Sequence, residues 1–120
     1  MAHILLLEDN HDMVLALSEV LTIYGHTVSI GHDGAAGVNA LDSGDGLPDV
    51  ILTDVTMPNM TGFEFLDYVK DHDYYAHIPV AIMSGRRTDE KQALDLGASA
   101  FILKPFKFED LDGIIANLLA

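Results

Sequence analysis

The sequence predicts an α/β domain in which helices cover both faces of a parallel sheet. Two observations carry this. Short apolar runs alternate five times with longer stretches of helical periodicity, the pattern that parallel strands joined by right-handed crossovers produce. Two of the runs, Ile4-Leu5-Leu6-Leu7 and Val50-Ile51-Leu52, lack polar alternation, as strands buried on both faces require. A chain of 120 residues has room for one hydrophobic core, so a single domain over residues 1–120 is expected.

The first run ends directly on Glu8-Asp9-Asn10. Val14, Leu17, Leu21 and Tyr24 then recur at helical spacing, and Gly25 suits the helix end. Thr27-Val28-Ser29-Ile30 is a more polar second strand, expected at a sheet edge. Asp33 can cap a second helix that runs through Val38 and Leu41 to the turn-forming Gly44-Asp45-Gly46-Leu47-Pro48. The third strand, from Val50, ends on Asp54, because Pro58 cannot continue a central strand.

Thr61-Gly62-Phe63-Glu64 has the form of a capping box, which places Phe65, Leu66 and Val69 on the apolar side of a third helix. Pro79-Val80-Ala81-Ile82-Met83 is the fourth strand and ends on Ser84-Gly85. Thr88-Asp89-Glu90 opens a fourth helix, its acids in the first turn where the helix dipole favours them, and Gly97 closes it. Ala100-Phe101-Ile102-Leu103 is the fifth strand, ending on Lys104-Pro105. Leu111, Ile114, Ile115 and Leu118 form one stripe on the last helix.

Composition narrows the function. Six Lys and Arg against nineteen Asp and Glu give a formal net charge of −13, which repels a phosphate backbone and argues against direct nucleic-acid binding. No apolar run reaches membrane-spanning length, so no membrane association is expected. The absence of cysteine excludes disulfides and thiolate metal sites and fits a cytoplasmic protein. The six histidines show no ligand-like spacing and are expected as surface or capping residues. His77 and Tyr74-Tyr75 are expected to line the loop before the fourth strand.

A parallel sheet gathers all strand carboxyl ends on one edge, where open α/β sheets place their chemistry. That edge receives Glu8 and Asp9 from strand one, Asp54 from strand three, Ser84 from strand four and Lys104 from strand five. Three adjacent carboxylates repel unless a cation sits among them, and oxygen-only ligands suit a hard ion such as magnesium. Lys104 adds one mobile positive charge and Ser84 one small hydrogen-bond donor. There is no base-activated nucleophile and no glycine-rich phosphate loop. The set instead suits phosphoryl transfer onto a carboxylate, with metal and lysine neutralising the phosphoryl oxygens while Asp54 attacks in line.

These residues resemble the receiver domain of two-component response regulators, the family of the bacterial chemotaxis response regulator. The likeness runs through Glu8-Asp9, Asp54-Val55-Thr56-Met57-Pro58, Gly62, Ser84-Gly85 and Lys104-Pro105-Phe106, and so covers essentially the whole chain. It implies a flavodoxin-like five-stranded sheet of order 2-1-3-4-5. It also implies Asp54 as phosphoacceptor, Asp9 as a direct magnesium ligand, Glu8 as a second acid acting through water, and the Thr56 backbone carbonyl completing the metal site. Ser84 matches the switch hydroxyl, Lys104 the phosphate-contacting lysine and Phe101 the switch aromatic. The implied partners are a sensor histidine kinase or histidine phosphotransfer protein and a downstream target that the residues do not name.

Two alternatives stand beside this reading: a magnesium-dependent phosphohydrolase with an aspartyl-phosphate intermediate, and a receiver used only as an interaction module. The hydrolase is disfavoured because Thr56 occupies the place where such enzymes commonly carry a second acid. Gly85, without a side chain, leaves the site edge open, and Arg86-Arg87 stand near its mouth as candidates to touch a partner's acids or a phosphoryl group.

Overall fold

The computed structural model describes residues 2–44 and 46–120; Asp45, in the expected turn after the second helix, lies outside them. Strands β1 (His3–Leu7), β2 (Thr27–Gly31), β3 (Val50–Asp54), β4 (Val80–Ser84) and β5 (Ala100–Leu103) alternate with helices α1 (His11–Ile23), α2 (Gly34–Asp42), α3 (Gly62–Asp71), α4 (Asp89–Asp95) and α5 (Phe108–Leu119). All neighbouring strands pair in parallel in the order β2-β1-β3-β4-β5, which is the order the resemblance implies. The polar strand β2 is at an edge, and every residue of β3 and of β4 is buried.

Alternation along each strand divides the core in two. Leu5, Leu7, Ile51, Val80 and Ile82 face one side and meet Phe65, Leu66 and Val69 of α3 with Leu41 of α2. Ile4, Leu6, Val50, Leu52, Ala81 and Met83 face the other and meet Leu17 and Leu21 of α1 with Leu111 and Ile115 of α5. Each helix therefore buries its apolar stripe against a sheet face already apolar, and the acids are left to the edges and the surface.

The helix ends follow the sequence signals. Asp33 caps α2 by accepting from the Ala36 N–H at 2.8 Å. Thr61 and Glu64 form the reciprocal box at α3, with both hydrogen bonds present. Gly25 and Gly97, at φ +95° and +103°, take the left-handed conformation that ends α1 and α4. Tyr24 departs from its expected place: α1 stops at Ile23, Tyr24 is the C-cap, and the residue is 40% exposed rather than on the buried stripe. Thr88 makes no side-chain capping bond to α4.

Several of the histidines and tyrosines have structural partners. His3 shares a hydrogen bond with Ser29 and His26 accepts from the Ala2 N–H. Before β4, Tyr75 is buried while Tyr74 and His77 are exposed. The Tyr75 hydroxyl donates to the Asp42 carboxylate, which also accepts from Tyr68. That hydrogen bond, then burial, pushes the Tyr75 phenol up to about 12. Raising the folded-state value favours the protonated phenol in the fold. The associated stability is complete below pH 10 and is lost as pH rises from about 10 towards 12, where the unfolded chain ionises first. Urea midpoints should therefore fall across this range, and Tyr75→Phe should make the fall shallower; equal slopes would show that Tyr75 does not contribute.

Candidate functional site

The site lies at the carboxyl ends of β1, β3, β4 and β5. β1 continues one step past Leu7, where the Glu8 N–H donates to the Gly31 carbonyl at 3.0 Å. This carries Glu8 inward, leaving it 1% exposed, while Asp9 points to solvent. Asp54 ends β3 with 9% exposure, and one of its carboxylate oxygens accepts from the Val55 N–H at 3.0 Å. One oxygen from each of Glu8, Asp9 and Asp54 lies within 4.8 Å of the others.

Lys104 enters from β5, and its backbone N–H donates to the Ser84 carbonyl at 2.7 Å, tying the two strand ends together. The Lys104–Pro105 peptide bond is cis. The ammonium spans the two buried acids, 2.9 Å from Glu8 Oε1 and 3.2 Å from Asp54 Oδ1. It is thus fixed by two partners, not mobile as its sequence context suggests. Burial by itself would lower the lysine pKa, but the hydrogen bonds and charges of Glu8 and Asp54 outweigh this and hold it above its ordinary value.

The loop after β3 is anchored at two points. Gly62 packs so tightly beneath it that an added Cβ would collide with the Asp54 carbonyl, and the Gly62 N–H donates to the Val55 carbonyl at 2.8 Å. On the other side Asn59, at φ +70°, donates from Nδ2 to Asp33 at 3.0 Å. Thr56 lies between these anchors with its side chain exposed.

Five expected site residues, Glu8, Asp9, Asp54, Thr56 and Lys104, therefore share one small region. Ser84 sits on the neighbouring strand at the same edge, 3% exposed, but its hydroxyl is turned away: it donates to Asp89 Oδ2 at 2.6 Å. Phe101 is half-buried and packs against the α2–α3 side of the core. Gly85 has open space around it. Arg86 and Arg87 pair with Asp89 and Glu90 of their own loop and helix.

Two contributors were not singled out from sequence. Asn10 caps α1 by accepting from Met13 N–H at 2.9 Å, and its own N–H donates to Glu8, so it aims the chain between Glu8 and Asp9. An Asn just ahead of a helical stretch is the signal that would have found it. Asp89 reads in sequence as a solvated first-turn acid; the structure buries it against Ser84.

One ammonium cannot balance three carboxylates in such proximity, and the donors are all oxygens. The residues present therefore fit a hard divalent cation.

Comparison with known proteins decides the family. The response regulator receiver domain family matches residues 4–116. The chain is a response regulator receiver domain. The receiver is 40% identical over 106 residues to the response regulator PleD of Caulobacter vibrioides, a match covering 87% of this chain and 23% of PleD. It superposes on the chemotaxis response regulator CheY4 of Vibrio cholerae with a TM-score of 0.89 at 30% identity, covering 99% of each chain. The receiver domain of the sensor histidine kinase PA1611 from Pseudomonas aeruginosa shares the fold, with a TM-score of 0.89 and 23% identity over 98% of this chain and 97% of that one; its structure has a magnesium ion in the active-site cleft. The receiver spans less than half the length of the curated relatives it matches. It is a signalling module of the two-component type.

Proposed function

We propose that this receiver takes a phosphoryl group onto Asp54 from a phosphohistidine donor, a sensor histidine kinase or a histidine phosphotransfer protein, in a magnesium-dependent reaction. The observation that carries this is the position of Asp54. It stands at the end of a fully buried strand, with Glu8 and Asp9 beside it and Lys104 3.2 Å from its carboxylate.

Asp9 and Asp54, the Thr56 carbonyl and, through water, Glu8 would hold the magnesium. Bound there, the ion supplies positive charge that offsets the phosphoryl oxygens. The chain's own residues do the rest. A carboxylate nucleophile needs no general base: one Asp54 carboxylate oxygen forms the bond to phosphorus as the bond from phosphorus to the donor nitrogen breaks. Lys104 is already 3.2 Å from that carboxylate and is positioned to pair with the incoming oxygens. Ser84, on the adjacent strand, is the hydroxyl placed to read the product. Turning towards it would shift the loop after β4 and open space for the half-buried Phe101, so that the surface of α4, β5 and α5 changes for a downstream partner.

The reading carries a cytoplasmic location and no direct nucleic-acid contact; among the described residues no helix is long and apolar enough to cross a membrane. It also carries self-catalysed phosphoryl loss as the only other chemistry. The test is incubation with acetyl phosphate: one phosphate mass should appear with magnesium and none with a chelator. Magnesium titration gives a second expected result. Asp9→Ala should weaken magnesium binding at least tenfold, roughly 1.4 kcal/mol or more, and unchanged affinity would remove Asp9 from the site.

A further inference from the structure

Asp89 lies on this edge, and the phosphoryl reading leaves it without a role. It opens α4, yet its carboxylate is 7% exposed and fully engaged. Oδ2 accepts the Ser84 hydroxyl at 2.6 Å and Arg86 Nε at 3.3 Å, and Oδ1 accepts Arg86 Nη2 at 3.0 Å. The Arg86 N–H in turn donates to Ser84 Oγ at 3.0 Å. The loop between β4 and α4 is thereby closed into a ring by the Ser84 and Asp89 side chains and the backbone N–H and guanidinium of Arg86, with the serine hydroxyl donating to Asp89.

We propose that Asp89 is a positioning residue that holds the Ser84 hydroxyl away from Asp54 and so sets how readily the receiver responds to phosphorylation. The proposal rests on the reading of Ser84 as the hydroxyl that contacts the phosphoryl group. A serine hydroxyl has a single proton to donate. Given to Asp89, it is unavailable to a phosphoryl oxygen, so the response begins by breaking this bond. The bond is of the strong kind: its acceptor is a carboxylate, its length is within the range for such pairs, and both partners are buried. Once Ser84 leaves, Asp89 retains only Arg86, whose side chain is 72% exposed and therefore pairs weakly. Asp89 thus opposes the response, and Arg86 eases the opposition because it remains with the carboxylate in either arrangement.

The test is beryllofluoride binding in the presence of magnesium, measured on the intact chain as wild type, Asp89→Ala, Ser84→Ala and the double variant. Asp89→Ala should bind at least fivefold more tightly than wild type. In the Ser84→Ala background the same change should alter affinity by less than twofold, because there is no hydroxyl left to release. Equal tightening in both backgrounds would overturn the proposal, since it would mean that Asp89 acts only through its charge. Unchanged or weaker binding by Asp89→Ala would overturn it as well. Failure of the Ser84 reading looks different: Ser84→Ala alone would then bind as tightly as wild type. Amide NMR guards against a variant whose α4 has merely unravelled. Without beryllofluoride, the signals of residues 84–90 in Asp89→Ala should move along the line joining the free and bound wild-type positions; displacement off that line would count against the proposal.

Discussion

Asp54→Asn should gain no phosphate under conditions in which the wild type gains one. The asparagine amide is nearly the same size as the carboxylate, so packing at the end of β3 is preserved and the Val55 N–H keeps an oxygen to donate to. What disappears is the carboxylate nucleophile, and a neutral amide oxygen does not displace a phosphoryl donor. The fold should survive because Lys104 retains Glu8 at 2.9 Å. Mass spectrometry after incubation with acetyl phosphate and magnesium reads the result, and peptide mapping of the wild type should place the phosphate on Asp54. A phosphate mapped to Asp9 or Glu8 would displace Asp54 from the centre of the mechanism.

Gly62→Ala is expected to damage stability and site together. The added methyl would strike the Asp54 carbonyl oxygen and crowd the Asp54 carbonyl carbon and Val55 Cα, all of them backbone atoms with no rotamer to yield. Either α3 moves off the sheet or the end of β3 bends. Overpacking of this kind costs about 1–3 kcal/mol, visible as a lower urea midpoint at unchanged slope. The same displacement moves the loop that carries Thr56, so magnesium affinity should fall although no metal-binding side chain has been altered. A variant as stable as wild type would mean that the two segments have room to separate.

How much of this was legible in the sequence depends on the range of the interactions. The five strands and five helices could be read because burial imposes local periodicity, and the caps at Asp33 and Thr61 because a cap is made within three residues. Strand order did not follow from periodicity; it came with the family resemblance. The tether between Asn59 and Asp33 and the tyrosine pair on Asp42 join residues far apart in the chain and left no local trace. The same is true of the contacts of Lys104, read as a mobile charge at the site and in fact fixed between Glu8 and Asp54. Asp89 misled for another reason: a first-turn acid has a sufficient explanation in the helix dipole, so nothing in its context announces that it is buried.

Helix α4 is the shortest helix among the described residues, seven residues long, and within it only Asp89 and Ala93 are buried. Fewer than two turns cannot sustain themselves, so this helix persists only through what it touches. β1, β3 and β4 lie under two layers of apolar side chains and should open only when the whole domain unfolds; α4 can loosen alone, at a fraction of that free energy. Sequence change at the exposed positions of α4 is therefore thermodynamically separable from sequence change in the core, to which Ala93 belongs. Responsiveness can drift from one receiver to another, residue by residue, while the melting behaviour of the domain stays where it was.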